Sequence, residues 1–420
     1  MTNRAMRPEP RQGDVEESLP ERMMHSAEDA FGLDVKRPTR IDLWGVAAAI
    51  ATITSVGVAV GLSFPLLSFL MEQQGYSTTI IGANTAMAGV ASIVTAPFVN
   101  RVAHKLGTVP TLIIAAIVAA ASLMGFFLLP QLWAWFLLRI TFHGAITASF
   151  ILSEYWINVS APDKRRGLVL GIYASVLSLG FATGPALLAF MGTSGMAPFA
   201  TGAVVILLST IPAIAARRRQ PVTLLEAHSR SVLRYIWLVP VATGAAFIFG
   251  AVEQAGLALF PVYGARTGYQ EHEISLLLMV LAFGNVALQI PLGLVSDRLQ
   301  DRRWLLFFCA SVGAVGVAAL PIAVDIPPLL VAGMFVWGGV TVGMYTVGLA
   351  QLGSRLSGAD LAQSNAAFIM CYAVGMVVGP QIAGIAMDLW NPHGFAVALA
   401  GMFCAYLVLV LIRGNPKRGA

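Results

Sequence analysis

Long apolar runs separated by short polar stretches make up the chain from Ile41 onward. A helix needs about 20 apolar residues to cross the roughly 30 Å of membrane hydrocarbon, and twelve of the runs are long enough. The predicted spans are about 41–70, 78–100, 109–129, 132–158, 166–190, 197–216, 234–263, 273–296, 303–323, 327–354, 362–387 and 394–412. The pattern therefore predicts an all-α membrane protein.

The polar stretches divide these spans into two sets of six. Residues 1–40 contain eight acidic and seven basic side chains, several prolines and almost no apolar periodicity, which predicts a disordered tail. An arginine-rich stretch follows the sixth span and predicts a linker. The predicted organisation is a tail at 1–40, a six-helix bundle at 41–216, a linker at 217–233, a second six-helix bundle at 234–413, and a short tail at 414–420.

The two sets of spans also share a motif. A glycine pair at four-residue spacing, followed by proline, occurs in spans five and eleven. Its members are Gly180, Gly184 and Pro185, then Gly375, Gly379 and Pro380. Small residues at this spacing let helices approach closely, so both motifs are predicted helix-packing sites. The repeat predicts two pseudo-symmetric bundles with a central substrate site between them.

Charge fixes the predicted orientation. If the N-terminus is cytoplasmic, 24 of the 26 lysines and arginines lie in cytoplasmic segments. Arg266 alone lies in an external loop, and Arg139 lies within a span. The positive-inside rule then places both termini in the cytoplasm. This topology explains the net charge of +5 better than nucleic-acid binding does.

Composition excludes several other classes of protein. The chain is 57% hydrophobic and 11% charged, with a mean hydropathy of +0.77, values far from those of soluble domains. Cys309, Cys371 and Cys404 lie in apolar runs without paired spacing, so neither a metal site nor a disulfide framework is expected. No catalytic constellation is visible, and we expect neither enzymatic activity nor a cofactor.

Two motifs resemble those of a known family. Gly171, Gly180, Gly184 and Pro185 have the spacing of the fifth-helix antiporter motif of the major facilitator superfamily, although Leu188 and Ala189 replace its closing glycines. The stretch between spans eight and nine resembles the superfamily's cytoplasmic signature. We predict that it acts as a cytoplasmic latch, which holds one conformation by contacting charges of the other half. Its matching residues are Gly293, Asp297, Arg298, Arg302 and Arg303. The equivalent first-half stretch has Asn100 in place of the aspartate.

The resemblance covers about residues 41–413 and is strongest to the bacterial drug/proton antiporter-like branch. It implies a secondary transporter in a bacterial inner membrane, with spans one, four, seven and ten lining the cavity. The predicted substrate and proton pathway on spans four, seven and ten consists of Arg139, His143, Glu154, Phe249, Glu253, Phe260, Trp337, Thr341 and Tyr345.

These polar residues have both functional and structural interpretations. Glu253 lies near the midplane and is the predicted coupling carboxylate, with Arg139 as its counter-cation. A structural ion pair is the alternative. His143 is either a proton carrier or a satisfied neutral histidine, and Glu154 is either a gate or a partner of Arg165 or Arg166. The aromatic stripes are equally compatible with helix packing.

The leading functional hypothesis is proton-coupled export of small amphipathic or drug-like compounds by alternating access. Proton-coupled uptake of a small polar or anionic metabolite is the alternative within that class, since Arg139 would suit a carboxylate. A membrane sensor or scaffold without transport is the alternative from another class. Expected partners are a small-molecule substrate, protons and lipids, and the protein is expected to be a monomer.

Overall fold

The computed structural model describes residues 42–161, 166–221, 232–299, 301–356 and 358–413. The predicted tails at 1–40 and 414–420 and residues 222–231 of the predicted linker lie outside these ranges. The described chain forms twelve helical units, four of which have two segments. They are α1 Leu43–Gln73, α2 Thr78–Leu106, α3 Thr108–Leu128, α4 Leu132–Ser160, α5 Arg166–Met191, α6 Ala197–Leu208 with Thr210–Ala215, α7 Val232–Leu238 with Pro240–Arg266, α8 Glu271–Arg298, α9 Arg303–Ala318 with Leu320–Ala323, α10 Pro327–Thr341 with Gly343–Arg355, α11 Gly358–Leu389 and α12 Gly394–Arg413.

Within the described residues, eleven of these units are long and apolar enough to cross a membrane. The remaining unit is α9, whose apolar segment Arg303–Ala318 is shorter and is extended by Leu320–Ala323. The prediction of an all-α membrane protein with twelve transmembrane helices in two pseudo-symmetric six-helix bundles is confirmed. The predicted domain boundaries stay a prediction.

The up-and-down course of the helices gives the molecule two faces. The face that carries Leu43 and Arg413 is called the terminal face, and the other is called the opposite face. Short turns at the opposite face follow α1 and α7. Gly75 and Gly268 have φ of 79° and 96° in these turns, a conformation that glycine adopts without steric cost. Gly75 and Gly268 therefore occupy equivalent turns in the two halves, as the pseudo-symmetry requires.

Helix packing follows the same pseudo-symmetry. Within the first half α1 packs on α5, and within the second half α7 packs on α11. The pair α2 and α4 is likewise matched by α8 and α10. Across the halves, α2 packs on α11 just as α5 packs on α8. The two halves are therefore built alike and meet along two equivalent seams.

The glycines of α5 explain how closely this helix approaches α1. A Cβ atom on Gly180 would lie 3.0 Å from Cα of Gly57, and one on Gly184 would lie 2.3 Å from the backbone carbon of Gly61. Neither position has room for a side chain. Gly171 is different, because open space surrounds it. The prediction that Gly171 belongs to this packing face is wrong, since Gly171 lies beyond the contact with α1.

The glycines of α11 make the equivalent contact with α7. A Cβ atom on Gly375 would lie 2.1 Å from the carbonyl oxygen of Phe247, and one on Gly379 would lie 2.1 Å from that of Ala251. Pro185 and Pro380 lie within α5 and α11, one residue after each close approach.

Candidate functional site

A carboxylate lies in the middle of α7. Glu253 is thirteen residues after Pro240 and thirteen before Arg266, the ends of the long α7 segment. Its side chain is partly exposed, although the residues on either side of it are buried. The hydroxyl of Tyr372 on α11 donates a hydrogen bond to Glu253 Oε2 at 2.6 Å. The close packing of α7 on α11 positions this pair.

Aromatic rings surround the pair. The Phe249 ring, one turn before Glu253, stacks on the Tyr372 ring with centroids 6.2 Å apart. Tyr345 of α10 contacts both rings, at 5.9 Å from Phe249 and 5.5 Å from Tyr372, and its other side meets Phe368 at 5.0 Å. The four rings form what we call the aromatic wall: Phe249, Tyr345, Phe368 and Tyr372. Three helices of the second half thus present one carboxylate beside a continuous aromatic surface.

The first half encloses a positive charge. Arg139 of α4 is 1% exposed, and its Nε donates a hydrogen bond to Asn84 Oδ1 of α2 at 3.0 Å. Its guanidinium carbon lies 5.1 Å from the ring centroid of Phe64 and 5.9 Å from that of Phe126. Cation–π contacts of this kind contribute roughly 2 kcal/mol each when desolvated. Four helices therefore hold the arginine inside the bundle.

His143 lies one turn from Arg139 and is also buried. Its ring contacts Phe64 and Phe142, each at a centroid distance of 5.0 Å, and its Nδ1 lies 3.3 Å from the carbonyl oxygen of Arg139. Among the described residues, His143 Nε2 has no hydrogen-bond partner. The same is true of Nη1 of Arg139 and Nδ2 of Asn84. Three polar nitrogen atoms with unused hydrogen-bonding capacity thus belong to one buried cluster.

Arg139 and Glu253 do not form the predicted pair. Within the described part of the chain, no ion pair joins them. Arg139 is held by an amide and two rings of the first half, whereas Glu253 is held by a tyrosine of the second half. The prediction of an Arg139–Glu253 counter-charge is wrong for this conformation, because each group makes its contacts within its own bundle.

Glu154 lies nearer the terminal face than Arg139 does. Its side chain is exposed. Of its predicted partners, Arg165 lies outside the described residues, as does the side chain of Arg166. Its predicted role as a gate stays a prediction.

The structure separates Trp337, Thr341 and Phe260 from the aromatic wall. Trp337 donates its indole N–H to the carbonyl oxygen of Gly313 at 3.2 Å, and Phe260 lines an apolar pocket with it inside the second half. The Thr341 hydroxyl donates to the Trp337 carbonyl oxygen. Trp337 and Thr341 therefore have different neighbours from Tyr345. Their place in the substrate pathway stays a prediction.

The predicted latch between α8 and α9 makes local contacts. Asp297 pairs with Arg302 at 3.7 Å, and Arg303 pairs with Asp301 at 2.5 Å. The Arg302 Nε also donates to Ser296. Open space surrounds Gly293, and Arg298 ends α8. These contacts stay within one hairpin, and among the residues that the structure describes no ion pair joins the latch to the other half.

Polar contacts join the halves at the opposite face. Asp388 at the end of α11 accepts hydrogen bonds from the backbone N–H groups of Thr78 and Thr79, at 2.9 and 2.8 Å, and so caps α2. Arg266 forms two hydrogen bonds with Glu72, at 2.8 and 3.0 Å. Glu271 accepts hydrogen bonds from Gln73 and Thr193. We call these three groups the opposite-face contacts.

Helices α2 and α11 also approach each other closely at this face. Cβ atoms on Gly82 of α2 and Gly384 of α11 would each lie 2.3 Å from a carbonyl oxygen of the other helix. Towards the terminal face, Phe98, Val102 and Leu106 of α2 are exposed. The structure is therefore closed between the halves at the opposite face.

Sequence reasoning missed several of these residues. Tyr372 and Asn84 provide the hydrogen bonds to Glu253 and Arg139, and Asp388 provides the helix cap. Asn84 could have been noticed as an amide within an apolar span, and Asp388 as an acidic residue at a helix end. Nothing in the sequence pairs Tyr372 with Glu253, which is 119 residues away.

Comparison with known proteins decides the family. The model of the Major Facilitator Superfamily matches residues 49–270 and 242–420. The chain belongs to the Major Facilitator Superfamily. Membership makes it a multi-pass membrane transporter rather than an enzyme, and the resemblance seen in the sequence is confirmed at this level.

Relatives within the superfamily match nearly the whole chain. One is YfkF of Bacillus subtilis (strain 168), an uncharacterized MFS-type transporter, which is 27% identical over 369 residues, 86% of this chain and 93% of YfkF. Another is YcaD of Escherichia coli O7:K1 (strain IAI39 / ExPEC), also an uncharacterized MFS-type transporter. It is 22% identical over 357 residues, 84% of this chain and 92% of YcaD.

Solved structures share the fold. The crystal structure of a D-xylose–proton symporter matches with a TM-score of 0.68 and 15% identity, covering 89% of this chain and 97% of the symporter. The crystal structure of the nucleoside transporter NupG matches with a TM-score of 0.66 and 15% identity, covering 87% of this chain and 97% of NupG. At these identities the likeness is one of fold.

Proposed function

We propose that this protein is a proton-coupled secondary transporter of the drug/proton antiporter branch, which exports small amphipathic or drug-like compounds by alternating access. The observation that carries the proposal is Glu253, a partly exposed carboxylate midway along α7 with a hydrogen bond from Tyr372. Ionisable groups are costly within a membrane and mark ion and proton pathways. A carboxyl group there can take up and release a proton in each transport cycle.

The proposed orientation determines to which side of the membrane the described conformation is closed. Because the basic residues predict a cytoplasmic terminal face, the opposite-face contacts close the protein towards the outside. Glu253 and Glu154 then face the cytoplasm, as a binding site for export requires. In this proposal the protein lies in a bacterial inner membrane with both termini cytoplasmic.

Alternating access requires the two halves to rock against each other. We assign the rocking units to 41–216 and 234–413, connected by the linker 217–233 and acting within one monomer among lipids. The close glycine contacts of α1 with α5 and of α7 with α11 keep each unit rigid. The opposite-face contacts must break in each cycle, and the α8–α9 latch would engage the other half once the terminal face closes.

The test combines ligand screening with flux measurement. Compounds that raise the thermal stability of the purified protein are candidate substrates, because a ligand of the folded state stabilises it by mass action. Each is then added to proteoliposomes that enclose a pH-sensitive dye. We expect substrate and protons to move in opposite directions, and protein-free liposomes are the control.

Other outcomes would contradict the proposal. Movement of substrate and protons in the same direction would favour the alternative of metabolite uptake. Substrate flux that is independent of any pH gradient would exclude proton coupling. Stabilising ligands without flux would support a sensor.

A further inference from the structure

A small cavity lies inside the first half of the molecule. Helices α1, α3, α4 and α6 enclose it, and its volume is about 10 Å³. Its lining, which lies entirely within the described chain, includes none of the predicted pathway residues. The lining residue Thr52 is about 14 Å along α1 from Leu43 at the terminal face, so the cavity lies at membrane depth. A space of this volume holds one water molecule or one ion without its hydration shell.

Hydroxyl groups from three helices line the cavity. The rest of the described lining is aliphatic, so oxygen is the only polar atom that the lining side chains offer. The hydroxyl groups on α1 and α4 are buried and those on α6 are half-buried. The five residues are Thr52 and Ser55 of α1, Ser149 of α4, and Ser209 and Thr210 of α6.

All five hydroxyl groups already use their hydrogen atoms. Each donates a hydrogen bond to a backbone carbonyl oxygen of its own helix, at 2.6–3.0 Å. A hydroxyl group has one hydrogen atom and two acceptor lone pairs, so only lone pairs remain for the cavity. A water molecule would find acceptors for its hydrogen atoms here but no donor for its own oxygen. A cation needs lone pairs alone, so the lining suits a cation better than water.

The chemistry of the lining also selects the kind of cation. Sites for calcium and magnesium are built around carboxylates, and no carboxylate lines this cavity within the described chain. Neutral oxygen atoms can replace the hydration shell of an ion with a single charge, as backbone carbonyl oxygens do in channels and transporters. The small volume favours a small ion. Sodium meets these conditions better than potassium, which is larger.

We propose that the hydroxyl groups of Thr52, Ser55, Ser149, Ser209 and Thr210 bind one dehydrated sodium ion. The bound ion connects α1 and α4 to α6 within the first rocking unit and so stabilises that half. This inference goes beyond the proposed function and does not depend on it, because it concerns binding within one half rather than transport.

The first experiment compares thermal stability in three chloride salts. Purified full-length protein is heated in sodium, potassium or choline chloride at equal ionic strength, so the anion and the charge screening stay the same. A ligand that binds the folded state raises the melting temperature by mass action. We expect the melting temperature to rise with sodium concentration until it saturates. Potassium should raise it less, and choline should not raise it.

The second experiment measures the binding of radioactive sodium to the same purified protein. Ser55→Ala and Ser149→Ala each remove one oxygen atom from the cavity and should weaken sodium binding at least about tenfold. Ser311→Ala is the matched control, because the Ser311 hydroxyl donates to the carbonyl oxygen of Phe307 on α9 in the same manner. It should leave sodium binding unchanged. Melting temperatures in choline chloride identify any variant that fails to fold.

Two results would overturn the inference. Equal melting temperatures in the three salts, without bound sodium, would mean that the cavity holds water only. Sodium binding with wild-type affinity in both Ser55→Ala and Ser149→Ala would place the ion elsewhere in the molecule. Both results leave the proposed function standing, because that proposal is tested by substrate and proton flux.

Discussion

The environment of Arg139 shows what a single residue requires inside this fold. Within the described residues, its Nε donates one side-chain hydrogen bond, to Asn84 Oδ1, and the rings of Phe64 and Phe126 lie beside the guanidinium. A buried charge with few partners depends strongly on each of them. Asn84 is therefore expected to matter for stability, although it carries no charge itself.

Asn84→Leu should destabilise the protein by about 1–3 kcal/mol, because Arg139 Nε would lose its buried hydrogen-bond partner. Asn84→Asp is the matched variant, since its carboxylate keeps the acceptor and adds a counter-charge. It should unfold no earlier than the wild type. Thermal unfolding in detergent checks both variants. An equal loss of thermal stability in the two would contradict this role of Asn84.

At this scale the sequence predicted the rare charges but not their partners. Arg139, His143, Glu154 and Glu253 were recognised because ionisable residues stand out in apolar spans. The actual partner of Glu253 depends on how α7 and α11 are rotated against each other. A one-dimensional pattern contains no information about that rotation, so the predicted pairing with Arg139 was wrong.

Among the helices, the glycine contact between α5 and α1 gives a sharp prediction. Gly184→Leu should cost at least about 1–3 kcal/mol, because its Cβ atom would lie 2.3 Å from the backbone of Gly61. Gly171→Leu is the matched control on the same helix, where open space would receive the side chain. Gly192, which directly follows α5, is not a suitable control, because a leucine at its φ of 73° would be strained. Melting temperatures check the pair, and equal shifts would refute the packing role.

Asp388 gives a prediction about the movement of the halves. Asp388→Asn should weaken the cap on α2, because a carboxylate near a helix N-terminus interacts favourably with the helix dipole. Conformations open at the opposite face should then become more populated. Spin labels at Ser194 and Asp325, both exposed, report the separation of the halves in a background lacking the exposed Cys404.

We expect the label distances in Asp388→Asn to extend to larger values. Asp301→Asn is the control, since Asp301 pairs with Arg303 inside one hairpin at the other face. Identical distance distributions in wild type and Asp388→Asn would mean that the cap does not hold the face closed.

The helices also show where sequence periodicity fails. Trp337 and Tyr345 lie eight residues apart, a spacing that places them on one face of a continuous helix. Their side chains nevertheless have different neighbours, because Tyr345 joins the aromatic wall while Trp337 donates a hydrogen bond to the carbonyl oxygen of Gly313. The spacing contains no information about which neighbouring helices the two side chains meet.

At the scale of the whole molecule, the orientation is directly testable. Single cysteines at Ser194 and Arg218 should react with a membrane-impermeant maleimide from opposite sides of the membrane. The first should react in intact cells and the second only in inverted vesicles, because the arginines of 217–219 are predicted to stay in the cytoplasm. Reaction of both from one side would refute the topology.

The fold as a whole was predictable because it follows from the length and number of apolar runs. Twelve runs, a repeated glycine motif and a central basic stretch suffice for two six-helix bundles. Which faces of the halves touch was not predictable, because it depends on the conformation of the transport cycle. The α8–α9 latch illustrates this, since its described contacts lie within one hairpin and not against the other half.

One measurement tests the central claim that Glu253 couples transport to protons. Glu253→Gln keeps the shape of the protonated side chain but can neither gain nor lose a proton. Proteoliposomes containing either protein are given the same imposed pH gradient, and substrate accumulation is compared with substrate exchange without a gradient. The account predicts that the variant loses gradient-driven accumulation while exchange survives. Accumulation by the variant at the wild-type rate would contradict it, and would direct the search to His143 or Glu154.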